Sequence, residues 1–180
     1  MTELQTRCLD TFPEWLRALA TDAGELAKVL ASPTAPEGVR RYVAGGRNYL
    51  FKSLDLIPDG IEDLGFLDDA FVLRVAAALA GLESPAARED ATLSRLAGDA
   101  GLIHELIGKD YARLEAYVKG LTKGVARGRS VDEILADPEM RAAFLHEVTG
   151  WASSYATPSF SRDEKNLVKL QSFLNAKLPA

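Results

Sequence analysis

The sequence has 180 residues, of which 47% are hydrophobic and 26% are charged. These values are typical of a globular protein large enough to form its own core, and they exclude a disordered or fibrous chain. The net charge of −5 argues against a general nucleic-acid-binding protein, because such proteins carry a basic excess that replaces the counterions on phosphate. We therefore expect a globular protein with no nucleic-acid partner.

The cysteine content and the hydropathy of the sequence indicate in which cellular compartment the protein is expected. Cys8 is the single cysteine, so the chain forms no internal disulfide, which is typical of a reducing environment. Residues 1–19 are interrupted by charges, and we expect no signal peptide there. The most apolar stretch, 70–82, is shorter than the roughly 20 residues that a membrane span requires, and Arg74 interrupts it. These features predict a cytoplasmic protein, with peripheral membrane contact as an alternative.

Apolar residues recur at helical spacing almost throughout the chain, whereas no segment alternates convincingly as a strand would. The first predicted helix begins at Thr11, because Thr11 and Glu14 have capping-box spacing, and it ends at the proline-rich segment 32–36. A second helix is predicted over 36–53, weakened by two adjacent glycines. A third, over 64–82, is apolar around most of its circumference, which is typical of a buried central helix.

The second half of the chain also reads as helical. Its segments are predicted to begin at Ser84, Tyr111, Ser130, Asp137 and Ser161. The segment that opens at Ser84 runs to a stop at Gly108, and the segment at Ser130 is only a short turn. We therefore predict one all-α domain over 1–180, a compact bundle of about seven helices with a central helical hairpin.

The most specific pattern lies between the second and third predicted helices. Tyr49 is followed by Asp-Leu-Ile-Pro-Asp, then by a glycine, an Asp-Asp pair and an apolar helix. The members that define the pattern are Asp55, Pro58, Asp59, Gly65, Asp68 and Asp69. This pattern resembles the core motif of the YkvA-like family, a bacterial domain of unknown function. The resemblance covers about 40–82 and implies a helical hairpin, but it implies no chemistry.

Three positions depart from the family pattern. The family commonly has proline where Ser53 and Glu62 stand, and an apolar residue where Asp63 stands. A loop with fewer prolines and an additional carboxylate should be looser and more acidic than the family pattern implies.

Six carboxylates lie between 53 and 70, with no lysine or arginine among them. Aspartates in turns and in the first turn of a helix commonly accept backbone hydrogen bonds, and Asp55 and Asp69 are expected to stabilise the hairpin in this way. Alternatively, a closed hairpin could bring Asp55, Asp59, Asp68 and Asp69 together around a hard cation, since Ca²⁺ and Mg²⁺ take oxygen ligands. The spacing does not fit an EF-hand loop, and an acidic docking surface is a third interpretation.

Two basic clusters suggest contacts with a partner. The first consists of Arg40, Arg41, Arg47 and Lys52, and the second consists of Lys109, Arg113, Lys119, Lys123, Arg127 and Arg129. The first cluster could engage a partner together with the acidic turn, or its arginines could pair with aspartates inside the fold. The second could contact anionic lipid or another acidic surface, and a solvated helix face is the leading interpretation for it. The leading hypothesis is a noncatalytic helical interaction or scaffold module with an unknown protein partner and, as an option, peripheral contact with an anionic membrane.

Candidate catalytic residues are isolated in the sequence. His104 and His146 lie far apart and outside any H-E-x-x-H pattern, and Cys8 has no histidine nearby. No phosphate-binding glycine loop is present. The sequence thus predicts no catalytic residues and no cofactor. The alternative function is a divalent-metal-binding protein that uses the hairpin aspartates, and the leading interpretation instead predicts that EDTA changes the melting temperature little.

Overall fold

The structure is a computed structural model and describes residues 1–51 and 55–180. Within these ranges the chain forms nine helices: α1 (Glu3–Ala31), α2 (Glu37–Tyr49), α3 (Leu67–Glu83), α4 (Pro85–Glu89), α5 (Ala91–Ile107), α6 (Asp110–Leu121), α7 (Val131–Ala136), α8 (Pro138–Ser154) and α9 (Glu164–Lys177). Two antiparallel strands, β1 (Val125–Ala126) and β2 (Arg129–Ser130), connect α6 to α7. The predicted all-α fold is confirmed.

Helix α3 lies at the centre of the fold and packs most extensively against α2 and α5. Its side chains are buried almost all round, as the apolar pattern over 64–82 predicted. Arg74 is the charged exception in the middle of this helix, and its guanidinium reaches Asp22 on α1 and Asp99 on α5. Of the helices in the two described ranges, α3 included, none is long and apolar enough to cross a membrane.

Helix α1 begins at Glu3, eight residues before the predicted start at Thr11. The capping box belongs to Thr2, whose hydroxyl accepts a hydrogen bond from the backbone of Gln5 while the Gln5 side chain accepts one from the backbone of Thr2. Thr11 lies inside the helix, so the predicted cap is wrong. The physical reason is that Cys8 and Leu9 continue the buried face of this helix toward the N-terminus.

Helix α2 ends at Tyr49 instead of continuing to residue 53, and 52–54 lie outside the described residues. The glycine pair does not break the helix. A Cβ atom at Gly45 would lie only 3.1 Å from the backbone oxygen of Leu121, so glycine permits the close approach of α2 to the end of α6. This packing explains why a weak helix former occupies the middle of α2.

The segment predicted as one helix from Ser84 to Gly108 is divided into α4 and α5. Asp90 separates them, because its carboxylate caps the backbone N–H of Leu93 at a distance of 2.9 Å. With the short helix α7, this division accounts for nine helices instead of about seven. Gly108 ends α5 as predicted, in a conformation with a φ of +55°.

The region after α6 differs from the prediction in its strands. α6 ends at Leu121, and the two-residue strands β1 and β2 turn through Arg127 and Gly128, which both have positive φ. Strands this short carry no recognisable alternation, so the sequence pattern could not reveal them. The capping box of Ser130 with Glu133 is confirmed.

The final helix, α9, is capped by Asp163 instead of the predicted Ser161. Ser161 instead donates hydrogen bonds to the carboxylate of Asp63 in the connection between α2 and α3, from both its backbone N–H and its hydroxyl. The C-terminal segment is thereby fixed to the hairpin.

Candidate functional site

The connection between α2 and α3 brings together the four aspartates that the sequence singled out, which we call the acid cluster (Asp55, Asp59, Asp68 and Asp69). Asp68 and Asp69 lie in the first turn of α3. Asp59 follows Pro58 in the preceding turn, and one carboxylate oxygen from each of Asp59, Asp68 and Asp69 lies within 4.8 Å of the others. Asp55 interacts with Asp59 through a hydrogen bond between their carboxyl groups. The structure therefore brings Asp59, Asp68 and Asp69 together, and Asp55 lies beside Asp59.

A tight turn before α3 places Asp59 against the helix start. The backbone N–H of Gly65 donates a 2.9 Å hydrogen bond to the carbonyl of Ile61. A Cβ atom at Gly65 would overlap the carbonyl oxygen of Asp59, so only glycine fits without backbone movement. Asp63 and Phe66 complete the turn with positive φ, a conformation that is uncommon for residues other than glycine. The glycine of the motif thus has a direct steric role in forming the acid cluster.

Tyr49, at the end of α2, fixes the acid cluster from the opposite side. Its hydroxyl donates a 2.6 Å hydrogen bond to Oδ2 of Asp68 and accepts a 2.7 Å hydrogen bond from the backbone N–H of Leu56. The backbone N–H of Ile57 approaches the same Asp68 oxygen at 3.3 Å. The sequence pattern includes Tyr49 but gives no indication of this role, because it depends on how the hairpin closes.

These contacts assign the main structural hydrogen bonds to Asp68, whereas the sequence predicted them for Asp55 and Asp69. Oδ2 of Asp68 accepts from both Tyr49 and the turn backbone. In contrast, Oδ2 of Asp69 is buried without a hydrogen-bond partner in the described part of the chain, and Oδ1 of Asp68 is also unpartnered. The structural role predicted for Asp55 and Asp69 stays a prediction, and Asp68 is an acceptor that the sequence did not single out for this role.

Burial and mutual repulsion raise the pKa values of the acid cluster. Burial raises the pKa of Asp68 to about 6, although the hydrogen bonds from Tyr49 and Ile57 oppose the shift. The pKa of Asp69 is raised well above its ordinary value, first by burial and then by the charges of Asp68 and Asp59. The pKa of Asp59 is also raised by burial. Ionising the whole cluster is therefore unfavourable without an added proton or cation.

Three members of the acid cluster, Asp59, Asp68 and Asp69, take part in none of the ion pairs that lysine and arginine form within 1–51 and 55–180. Asp68 has 0% and Asp69 only 3% of its surface exposed, whereas Asp59 is exposed. The cluster is therefore a buried negative site that solvent reaches at Asp59.

The two remaining carboxylates of the hairpin, Asp63 and Glu62, do not belong to the acid cluster. Asp63 accepts two hydrogen bonds of 2.7 Å from Ser161, and these hold the pKa of Asp63 below its ordinary value. Glu62 is exposed at the surface. Of the six acidic residues counted in the sequence, Asp59, Asp68 and Asp69 thus converge, Asp55 lies beside Asp59, and Asp63 and Glu62 lie apart from them.

Some residues of the first predicted basic cluster form contacts inside the fold. Arg41 forms ion pairs with Glu37 and Asp132. Arg47 has none of its surface exposed, and Lys52 lies outside the described residues. The described members Arg41 and Arg47 are therefore paired or buried inside the fold.

The second basic cluster is likewise divided. Arg113 pairs with Asp110 and donates to carbonyl groups near the C-terminus, and Arg129 pairs with Glu147. These internal partners reduce the positive charge that either cluster could present to an acidic protein or to anionic lipid.

The other candidate residues lie apart from one another. Cys8 is buried in α1, and burial raises the pKa of its thiol to about 11, which disfavours the nucleophilic thiolate. The ring of His104 stacks on Tyr111 with centroids 4.5 Å apart, whereas His146 is exposed on α8. These three residues do not assemble into a common site.

Comparison with known proteins adds no relative to this description. No family model matches the chain, and neither a curated protein nor a solved structure similar to it was found.

Proposed function

We propose that this chain is a noncatalytic helical protein that binds a divalent cation in the acid cluster. The observation that carries the proposal is the pair of buried, unpartnered oxygens on Asp68 and Asp69, which belong to a group of three carboxylates whose ligand atoms lie within 4.8 Å of one another. A buried carboxylate oxygen without a donor is unfavourable, and a bound cation would compensate it.

The chemistry of these donors suits a hard cation. Ca²⁺ and Mg²⁺ prefer carboxylate, carbonyl and water oxygens, and three or four aspartates with added water satisfy either ion. The site lacks histidine, and Cys8 belongs to α1, so the nitrogen and sulfur ligands typical of zinc are missing from the acid cluster. Because Asp59 is exposed, water could complete the coordination from the solvent side.

The role of the cation would be to hold the hairpin closed. Asp59 belongs to the turn, whereas Asp68 and Asp69 belong to α3. Asp68 is also bonded to Tyr49 on α2. One ion shared by these carboxylates would therefore connect the turn to both central helices and would replace the repulsion between like charges with attraction.

Thermal unfolding and calorimetry with Ca²⁺ and with Mg²⁺ test this proposal on protein that was first treated with EDTA. At a hundredfold excess over the dissociation constant, a ligand that binds only the folded state stabilises it by about 2.7 kcal/mol. We expect such stabilisation in the wild-type protein and its loss in Asp69→Asn. Glu62→Gln removes the same charge from the same hairpin at an exposed position and should behave as wild type.

A second measurement reports on the position of the ion. Terbium emits strongly when a nearby tyrosine transfers energy to it, and the hydroxyl of Tyr49 is bonded directly to Asp68. Terbium luminescence should therefore rise on binding and be displaced by Ca²⁺. If neither ion changes the melting temperature and terbium is not sensitised, the carboxyl groups share protons instead, and the proposed function is wrong.

An interaction or scaffold role is the second candidate, and a groove beside α6 favours it. The groove has a volume of about 520 Å³ and is lined by Ala116, Tyr117 and Leu121 of α6 and by Pro179 and Ala180. A photo-crosslinking residue at Ala116 should give a discrete protein adduct in cells, whereas the same residue at Glu62 should not. Flotation of the protein with anionic vesicles, without such an adduct, would favour peripheral membrane contact instead.

Residues 40–82 are also proposed to be a YkvA-like hairpin. Two observations support this proposal at positions of the motif. Gly65 is sterically required, and Tyr49 forms a hydrogen bond with Asp68. Variants at these two positions, described in the Discussion, test whether the motif acts through the hairpin geometry.

A further inference from the structure

The buried nitrogen atoms that lack a hydrogen-bond partner among the described residues are all guanidinium nitrogens. They belong to Arg40, Arg47 and Arg129. They are separate from the carboxylate oxygens of the acid cluster and have the opposite charge, so cation binding does not account for them. They instead raise the question of which negative group would compensate them.

Arg47 is the most deeply buried of these arginines. It has 0% of its surface exposed, and its Nε and Nη1 atoms both lack a partner in the described structure. Its guanidinium carbon lies 5.5 Å from the centroid of the Phe144 ring, and burial lowers its pKa to about 10. The position of Arg47 in the last turn of α2 is favourable for a cation, but the helix dipole compensates only a small part of the desolvation.

Arg129 reaches the same part of α8 from strand β2. One of its nitrogens pairs with Glu147, which lies one helical turn after Phe144, while Nη1 of Arg129 and Oε2 of Glu147 both remain buried without a hydrogen-bond partner. The side chain of Asn48, next to Arg47 on α2, approaches the carbonyl of Arg129 at 3.4 Å. Arg47 and Arg129 thus lie on adjoining elements, and each has a free N–H donor.

Arg127 forms the outer edge of this region. Its guanidinium lies 4.7 Å from the centroid of the Phe51 ring, and that ring lies 6.0 Å from the ring of Phe144. The Arg127 side chain is 60% exposed and is 3.9 Å from Glu147. The arginine cluster (Arg47, Arg127 and Arg129) therefore extends from the surface to the interior, and in the described residues its ion-pair partner is the single carboxylate of Glu147.

We propose that the arginine cluster binds a small oxyanion of the phosphate type between α2, the β1–β2 turn and α8. Phosphate offers several acceptor oxygens and enough negative charge to receive hydrogen bonds from both Arg47 and Arg129. Arg127, which is 60% exposed, would attract the anion at the surface. The ligand is either free phosphate or the phosphate group of a small metabolite.

Nuclear magnetic resonance on the full-length protein tests the site directly. Inorganic phosphate is titrated in EDTA-containing buffer, with sodium chloride adjusted to keep the ionic strength constant. We expect saturable shifts of the Nε–Hε resonances of Arg47 and Arg129. Glycerol 3-phosphate is titrated in parallel, and tighter binding of this ester would identify the source as a phosphorylated metabolite, whereas equal or weaker binding would identify free phosphate.

Calorimetry of two matched variants completes the test. Arg47→Met should weaken phosphate binding about tenfold or more, because it removes charge-assisted hydrogen bonds. Arg17→Met removes the same charge from the exposed face of α1 and should bind as wild type. Unsaturable shifts, shifts equal to those with chloride alone, or unchanged affinity in Arg47→Met would each overturn the proposal. If Arg47→Met fails to fold, the wild-type resonances of Arg47 and Arg129 decide the question alone.

Discussion

The Tyr49 hydroxyl donates a 2.6 Å hydrogen bond to Asp68 and, through the same oxygen, receives a 2.7 Å hydrogen bond from the backbone of Leu56. Tyr49 has none of its surface exposed, so water cannot replace either bond. One side chain of α2 therefore fixes both the turn and the start of α3.

Replacement of Tyr49 by phenylalanine should destabilise the protein by roughly 1–3 kcal/mol, because it leaves the buried N–H of Leu56 without its acceptor and removes a donor to Asp68. Urea denaturation measures the change. Tyr111→Phe is the matched control, since the Tyr111 hydroxyl forms no hydrogen bond with a residue that the structure describes, and its effect should be small. Equal losses in the two variants would contradict the proposed role of Tyr49.

Replacement of Gly65 by alanine should be strongly unfavourable, because the new Cβ atom would overlap the carbonyl oxygen of Asp59. We expect a loss of roughly 1–3 kcal/mol from the forced backbone shift. Gly98→Ala provides the opposite control: nothing lies within 4 Å of a Cβ atom there, and alanine should stabilise α5 by up to about 1 kcal/mol. Unfolding of both variants in urea gives the comparison, and unchanged stability of Gly65→Ala would disprove the close contact.

Because the pKa of Asp68 is raised in the folded protein, we expect the metal-free protein to lose stability as the pH rises from about 4 to about 6. Its pKa is 3.8 without perturbation and about 6 in the folded protein, so between these values the folded state binds more protons than the unfolded state. The stabilisation is complete below pH 4 and lost above the folded pKa. A shift of this size corresponds to on the order of 2–3 kcal/mol.

Urea denaturation of wild-type protein and Asp68→Asn in EDTA, at several pH values, measures this contribution. The difference in slope between the two proteins is the informative quantity, because carboxylates with lowered pKa values, such as Asp63 and Asp110, contribute the opposite slope in both. Parallel pH profiles would show that Asp68 ionises at its ordinary pKa.

Replacement of Arg74 by methionine should cost roughly 3–5 kcal/mol, because it removes a buried cation that pairs with both Asp22 and Asp99 and lies 4.2 Å from the Trp15 ring centroid. Arg95 also pairs with Asp22, but its side chain is 49% exposed. Arg95→Met should therefore cost only about 1 kcal/mol. Thermal melts of the two variants distinguish the roles, and equal costs would show that the buried position of Arg74 adds nothing.

The acid cluster could be predicted from the sequence because the spacing of its charges and its motif are both visible without knowledge of the fold. Six carboxylates without a lysine or arginine between 53 and 70 indicated an unusual environment, and Asp59, Asp68 and Asp69 do converge. Which carboxylate accepts structural hydrogen bonds could not be predicted, since this depends on the distance between Tyr49 and α3 after the hairpin closes.

The burial of Arg47 also could not be predicted from the sequence. Four basic residues over 40–52 suggested a docking surface or pairing with aspartates, but Arg47 packs against Phe144, which is distant in the chain. Similarly, Thr2 and Thr11 both precede residues suited to a capping box, and local pattern alone does not choose between them. The choice depends on Cys8 and Leu9, whose burial against the rest of the fold extends α1.

The docking of α1 against α8 and α9 has a consequence for synthesis on the ribosome. The Tyr155 hydroxyl donates a 2.8 Å hydrogen bond to the carbonyl of Leu16, which spans 139 positions of the chain. α1 also packs against α2, α3 and α5, so the part of its apolar face that α8 and α9 cover is the part that stays exposed until these last helices are made. Contacts of such long sequence separation also close slowly. The nascent chain thus presents an amphipathic helix that chaperones can bind until its C-terminal helices emerge.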